Sequence, residues 1–177
     1  MDIFISGNLT DKTSVVNVFN EQVQPVLMKK AQEKYGQGVE SVNFKWNKSN
    51  NFAELNKKKT MLAHLEAIDI AAPPTPMVFL LGEDVGAPLS KEIIEFVERE
   101  FSFEVENERC DLTELEIEFG AMRDDRFQKR ALFCYINRED EEPTKEMQLL
   151  QKRIGKIVHP DQILRFIDTE EGIVSEE

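Results

Sequence analysis

Residues Met77 to Leu81 read MVFLL, and this stretch decides the fold. Five apolar residues in succession predict a strand that is buried on both faces, as the strands of parallel sheets are. A second run of this kind, ALFCYI, spans Ala131 to Ile136. Between the two runs lie helical patterns at Lys91 to Phe101 and from Asp111 to about Arg123, with Asp111 as the predicted N-cap. Buried strands that alternate with helices predict an α/β domain with a parallel sheet.

The flanking sequence extends this alternation in both directions. Three more strands are predicted, at Asp2 to Ser6 (DIFIS), Val39 to Trp46 (VESVNFKW) and Gln162 to Ile167 (QILRFI). Three further helices are predicted. The first begins after Thr10 and ends at Tyr35, the second runs from about Ala53 to Ala71, and the third runs from Pro143 to about Lys156. We therefore expect a single domain over residues 1–168, followed by an acidic flexible tail over residues 169–177.

The predicted fold is flavodoxin-like. Five parallel strands in the order 2-1-3-4-5, with helices on both faces, would form a three-layer sandwich. In sheets of this order, ligands bind beyond the carboxyl ends of strands one and three. Functional residues are therefore expected at and directly after Ser6 and Leu81.

The composition is that of a globular protein with a strong acidic balance. The 177 residues are 41% hydrophobic and 32% charged, and the formal net charge is -12. This charge repels phosphate backbones and anionic lipids, so nucleic acid and membrane are disfavoured as partners. No apolar run approaches the roughly 20 residues that cross a bilayer, and the chain opens on a strand pattern without a cleavable signal. We expect a cytoplasmic location.

Seven short elements carry a resemblance to a known family. They are Phe4-Ile5-Ser6, Pro25 with Leu27, Lys45-Trp46-Asn47, Glu66 to Asp69, Met77 to Gly82, Thr113 to Ile117 with Gly120, and Ala131 to Tyr135. In this order, over about residues 2 to 138, the chain resembles the TIR-like domain at the N-terminus of STAND-type NTPases. That group includes telomerase-associated protein, nephrocystin and NACHT–WD-repeat proteins.

The resemblance implies a fold related to TIR domains and two alternative functions. Many such domains act in signalling, including innate immunity, through self-association or recruitment of a protein partner, and need no cofactor. Others hydrolyse NAD through a glutamate on the helix that follows the third strand, a position held here by Glu116. The first alternative makes this chain an effector module of a STAND-type NTPase. The second makes it an NAD(P) hydrolase with NAD as its substrate.

Glu116 also stands out from the helical pattern alone. At about 100° per residue, Leu112, Leu115, Phe119 and Met122 share a narrow arc, and Glu116 lies at its edge. A carboxylate that is partly desolvated on an apolar face suits acid–base work or the binding of a ribose. It equally suits a structural pair with an arginine or a backbone donor at the edge of the core. Both interpretations stay open at the level of the sequence.

The neighbours of Glu116 receive simpler interpretations. Glu114 points nearly the opposite way and Glu118 to the side, so both are expected to be ordinary surface acids. Gly120 lies about one turn further along the helix and is expected to leave room beside Glu116.

Five residues near the expected ligand position are candidates for binding a nucleotide. They are Ser6, Gly7, Asn8, Trp46 and Gly82. Small residues after the first strand allow close approach to a phosphate or ribose, but every tight turn uses them too. The tryptophan could stack on a nicotinamide or adenine ring, or close the end of the core. No Walker loop occurs, and neither His64 nor His159 has a partner at metal-ligand spacing, so no metal is expected.

Overall fold

The strands and helices follow the expected alternation. The computed structural model describes residues 2–7, 20–21, 24–35, 43–45, 54–70, 76–169 and 172–175. Its strands are β1 (Asp2–Gly7), β2 (Asn43–Lys45), β3 (Met77–Leu81), β4 (Ala131–Arg138), β5 (Ile163–Thr169) and β6 (Gly172–Ser175). Its helices are α1 (Gln24–Tyr35), α2 (Glu54–Ile70), α3 (Lys91–Phe101), α4 (Leu112–Ile117), α5 (Asp125–Gln128) and α6 (Lys145–Ile157). A π-helical turn, Glu118–Met122, continues α4, and a 3-10 turn, Pro160–Gln162, precedes β5.

The strands form one sheet in the order β2-β1-β3-β4-β5-β6. The first five strands pair in parallel, and β6 pairs antiparallel with β5. The α/β class and the parallel sheet are thus confirmed, whereas the expected count of five strands is not. The additional strand lies in the predicted flexible tail, where Ile173 and Val174 have the β-branched side chains that favour extended backbone.

Both faces of the central strands are buried, as the apolar runs predict. On one face, the rings of Phe79 and Phe133 stack with centroids 5.1 Å apart. On the other face, Val78, Leu80 and Cys134 have no exposed surface. This double burial accounts for the apolar runs Met77 to Leu81 and Ala131 to Ile136.

Four helices contribute to the core on the face that carries Phe79. Their buried apolar residues are Met61, Leu65 and Ile68 from α2, Ile93, Ile94 and Val97 from α3, Leu115 and Ile117 from α4, and Met147, Leu150 and Ile154 from α6. In α2 and α6 these residues recur every three or four positions, and in α3 they stand at i, i+1 and i+4, so each of the three helices presents one apolar stripe to the sheet.

Helix α4 differs from the other helices because it is buried on every side. Residues 113–121, which run from α4 through the π-helical turn, are all less than 9% exposed. Three of them are glutamates, and burying so many carboxylates is costly unless each has partners. The partners of these glutamates define the sites described below.

Candidate functional site

The carboxyl ends of β1 and β3 lie side by side, as the predicted strand order requires. Ser6 is in register with Phe79, and Gly7 with Leu80. A Cβ added at Gly7 would lie 2.8 Å from the carbonyl oxygen of Leu80, so a glycine permits this close approach of the two strands. Gly82 is buried directly after β3.

Asp111 fixes the start of α4 and ties it to a neighbouring loop. Its Oδ1 accepts a hydrogen bond from the backbone N–H of Glu114 at 2.6 Å, which is the N-cap bond that the sequence predicts. Its Oδ2 accepts from the backbone N–H of Gly86, also at 2.6 Å. Burial raises the pKa of the Asp111 carboxyl group, and these two hydrogen bonds oppose that rise. The helix that carries Glu116 therefore begins at a fixed position.

Glu116 lies between β1 and α2 and contacts both. The hydroxyl of Ser6 donates a hydrogen bond to Oε2 of Glu116. Nδ1 of His64, on α2, lies 2.8 Å from Oε1 of the same carboxylate. Glu116 is 2% exposed and Ser6 is 3% exposed, while the His64 side chain is 15% exposed. We call these three residues the Glu116 network.

The Glu116 network shows how this carboxylate is held at the edge of the core. Both of its carboxylate oxygens have partners inside the fold, and a serine and a histidine are among those partners. The histidine was missed as a site residue. Its position was readable from the sequence, because Met61, His64, Leu65 and Ile68 share one face of α2 at helical spacing.

The expected space beside Glu116 is absent, so this prediction about Gly120 is wrong. A Cβ added at Gly120 would lie 2.5 Å from Cε of Met77 and 3.2 Å from Cγ2 of Ile68. Because Gly120 has no side chain, the π-helical turn packs closely against β3 and α2. A π-helical turn often lies next to a functional site, and this one directly follows the helix that carries Glu116.

The prediction that Glu114 and Glu118 are surface acids is also wrong. Their side chains are 8% and 1% exposed, and both bind Arg153 of α6. Nη1 of Arg153 lies 2.5 Å from Oε1 of Glu114, and Nη2 lies 2.6 Å from Oε1 of Glu118. Arg153 therefore binds the two glutamates that lie two residues before and two residues after Glu116.

Burial dominates the electrostatics around Glu118. It raises the pKa of the Glu118 carboxyl group, although the hydrogen bond from Arg153 opposes the rise. Burial also raises the pKa of the Cys110 thiol to about 12, and the nearby carboxylate of Glu118 adds to this effect. A thiol with so high a pKa is not a nucleophile at neutral pH.

The sequence candidates are only partly brought together. Ser6, Gly7 and Gly82 lie at the carboxyl ends of β1 and β3, and Ser6 contacts Glu116. Asn8 and Trp46 lie outside the described residues. Among the residues that the structure does describe, no group of three His, Cys, Asp or Glu side chains could hold a metal ion.

The order of groups in the Glu116 network limits its chemistry. In a serine nucleophile site, an imidazole takes the proton of the hydroxyl, and a carboxylate orients the imidazole. Here the carboxylate of Glu116 lies between the serine and the histidine and accepts the hydroxyl hydrogen itself. This arrangement suits a buried hydrogen-bond network, or a carboxylate that acts on a ribose once its partners move, better than it suits acyl transfer.

Comparison with protein-family models, with characterised proteins and with solved structures finds no match to this chain. Within the described part of the chain, no helix is long and apolar enough to cross a membrane.

Proposed function

We propose that this chain is a non-catalytic interaction module of the TIR-like, flavodoxin-like kind. It would act in the cytoplasm as the signalling part of a STAND-type NTPase, through self-association or recruitment of a protein partner. The single observation that carries the proposal is the state of Glu116. This side chain is 2% exposed, and both of its oxygens are engaged by Ser6 and His64.

The reason is that a catalytic carboxylate must reach its substrate. A general acid or base works within hydrogen-bond distance of the group whose proton it moves. For Glu116 to do so, a ligand would have to displace the hydroxyl of Ser6 or the ring of His64. The displaced side chain would then be a buried polar group without its hydrogen bond, which costs about 1–3 kcal/mol. The network is therefore better suited to holding β1, α2 and α4 together.

A second function, NAD(P) hydrolysis, has one observation in its favour. Glu116 meets Ser6 at the carboxyl end of β1, beside the end of β3, where open α/β sheets bind their ligands. In this alternative, Ser6, Gly7, Asn8, Trp46 and Gly82 would surround the nucleotide.

An assay of nicotinamide release from NAD distinguishes the interaction module from the NAD(P) hydrolase. The domain is assayed alone and fused to a coiled coil that forces clustering, and its mass is followed by sedimentation over a wide concentration range. We expect self-association without release of nicotinamide in either form. Release by the wild-type domain that is lost in Glu116→Gln would overturn the proposal in favour of the hydrolase. Glu95→Gln is the matched control, because Glu95 is exposed on α3.

A further inference from the structure

The segment of residues 102–110, here called the strap, connects α3 to α4 and lies on α4. It contains neither helix nor strand. Ser102 opens it in the left-handed backbone conformation, with φ 49° and ψ 44°, which turns the chain back after α3. The ring of Phe103 then contacts the ring of Phe119 edge-on, with centroids 5.4 Å apart.

Three backbone N–H groups in the middle of the strap donate to side chains. The N–H of Val105 donates to Oε1 of Glu98 at 3.1 Å, and the N–H of Glu106 donates to Oε2 of Glu118 at 3.0 Å. The N–H of Arg109 donates to Oδ1 of Asn107 at 3.1 Å. Backbone-to-backbone hydrogen bonds to other segments lie at the two ends of the strap, from the N–H of Phe103 to the oxygen of Glu98 and from the N–H of Leu89 to the oxygen of Cys110. The attachment of its middle therefore depends on the carboxylates of Glu98 and Glu118.

The apolar attachment of the strap is also small. Val105 and Cys110 are its buried residues, and the other seven residues are exposed or half-buried. Segments with few buried apolar contacts open at a lower free energy than the core of a domain. The strap therefore has the features of a unit that opens locally.

One guanidinium group joins the strap to the helices around it. Nη2 of Arg153, on α6, lies 3.0 Å from Oε2 of Glu106 in the strap. The same arginine binds Glu114 and Glu118 of α4 and the turn that follows it. Asn107 of the strap adds a hydrogen bond from its side-chain amide to Oε1 of Glu114 at 3.0 Å. Removing the charge of Arg153 would leave buried carboxylates without their cation.

We propose that the strap opens and closes on α4 as a unit while the sheet stays folded, and that Arg153 is the clasp that holds it closed. Opening hydrates the carboxylates of Glu114 and Glu118 and uncovers one edge of Phe119. It also removes the cover from one side of the helix that carries Glu116.

Native-state hydrogen exchange of the whole chain tests this proposal. In the wild-type protein, we expect the amides of Val105 and Glu106 to exchange faster than those of β3 and β4, with little dependence on denaturant. In Arg153→Gln, exchange of the two strap amides should accelerate by about tenfold or more, while the strand amides change less. Arg138→Gln is the matched control, because Arg138 forms an exposed ion pair with Glu141 and should leave the strap unchanged.

Two results would overturn the proposal. Strap and strand amides that exchange together in the wild-type protein, with the same denaturant dependence, would show that the strap opens only when the domain unfolds. Equal acceleration of both groups of amides in Arg153→Gln would show that Arg153 stabilises the fold as a whole. If Arg153→Gln does not fold, Glu106→Gln removes one partner of the clasp at an exposed position and should still accelerate the strap selectively.

Discussion

Gly120 is a residue at which one methyl group should decide stability. A Cβ there would lie 2.5 Å from Cε of Met77 and 3.2 Å from Cγ2 of Ile68. Overpacking of a core by a single carbon atom costs about 1–3 kcal/mol, since neighbouring side chains must leave their preferred rotamers. We expect Gly120→Ala to lower the free energy of unfolding by less than that amount, because Cε of Met77 is the end of a flexible side chain and alanine itself favours helix over glycine. Urea denaturation measures the change.

The chain offers a matched control for this substitution in Gly155. This glycine lies in the last turn of α6, and a Cβ there would have no atom within 4 Å. Alanine favours helix over glycine, so Gly155→Ala should raise the free energy of unfolding by about 0.5–1 kcal/mol. Changes of the same sign in both variants would contradict the packing described around Gly120.

At the scale of the element, α4 is unusual because it carries buried charge on opposite sides. Glu114 and Glu118 face Arg153 of α6, whereas Glu116 faces Ser6 and His64. The helix thus links two polar networks that belong to different parts of the fold. Its N-cap at Asp111 and the π-helical turn after Ile117 set the rotation that sends each carboxylate to its partner.

The charge on this helix predicts how stability depends on pH. Burial raises the pKa of the carboxyl groups of Glu118 and Asp111 in the folded chain. A raised folded-state pKa means that the folded chain binds the proton more tightly than the unfolded chain does. Their contribution to stability is therefore fully present below about pH 4, which is the pKa of a carboxyl group in the unfolded chain. It is lost as the pH rises through the pKa values that Glu118 and Asp111 have in the folded chain.

Glu118→Gln isolates one of these groups. The amide oxygen can still accept the hydrogen bond from the backbone N–H of Glu106, but no charge has to be buried. We expect Glu118→Gln to raise the free energy of unfolding at neutral pH, and the difference from wild type to shrink as the pH is lowered. Urea denaturation at several pH values measures this difference, with the exposed Glu141→Gln as control. A loss of stability at neutral pH would show that Glu118 contributes more as an ion than its burial costs.

At the scale of the whole molecule, the sequence predicts best those helices and strands whose formation depends on residues within the same segment. The predicted bounds of β3 and α3 coincide with those observed, because a continuous apolar run and an amphipathic stripe are both complete within their own segments. The N-cap at Asp111 was predicted for the same reason. By contrast, β6 depends on pairing with β5, and such pairing between segments leaves no signature in a short acidic tail.

The wrong predictions at the candidate site concern residues whose partners are distant in the sequence. Glu114 lies 39 residues from Arg153, and Ser6 lies 110 residues from Glu116. Helical periodicity predicts that a charged residue is exposed to solvent. It carries no information about a guanidinium group from another helix that offsets the cost of burying the charge. The position of Glu116 was therefore predictable, whereas the identity of its partners was not.

The central claim is that Glu116 is held inside the fold by Ser6, and a double-mutant cycle tests it most directly. The free energies of unfolding of wild type, Ser6→Ala, Glu116→Leu and the double variant are measured by urea denaturation. The Ser6→Ala and Glu141→Leu pair serves as a distant control that should be additive within about 0.5 kcal/mol. We predict a coupling energy of about 1.5–3 kcal/mol between Ser6 and Glu116, the range for a hydrogen bond to a charged group. Additivity of these two substitutions would mean that the serine does not hold the carboxylate, and would contradict the account.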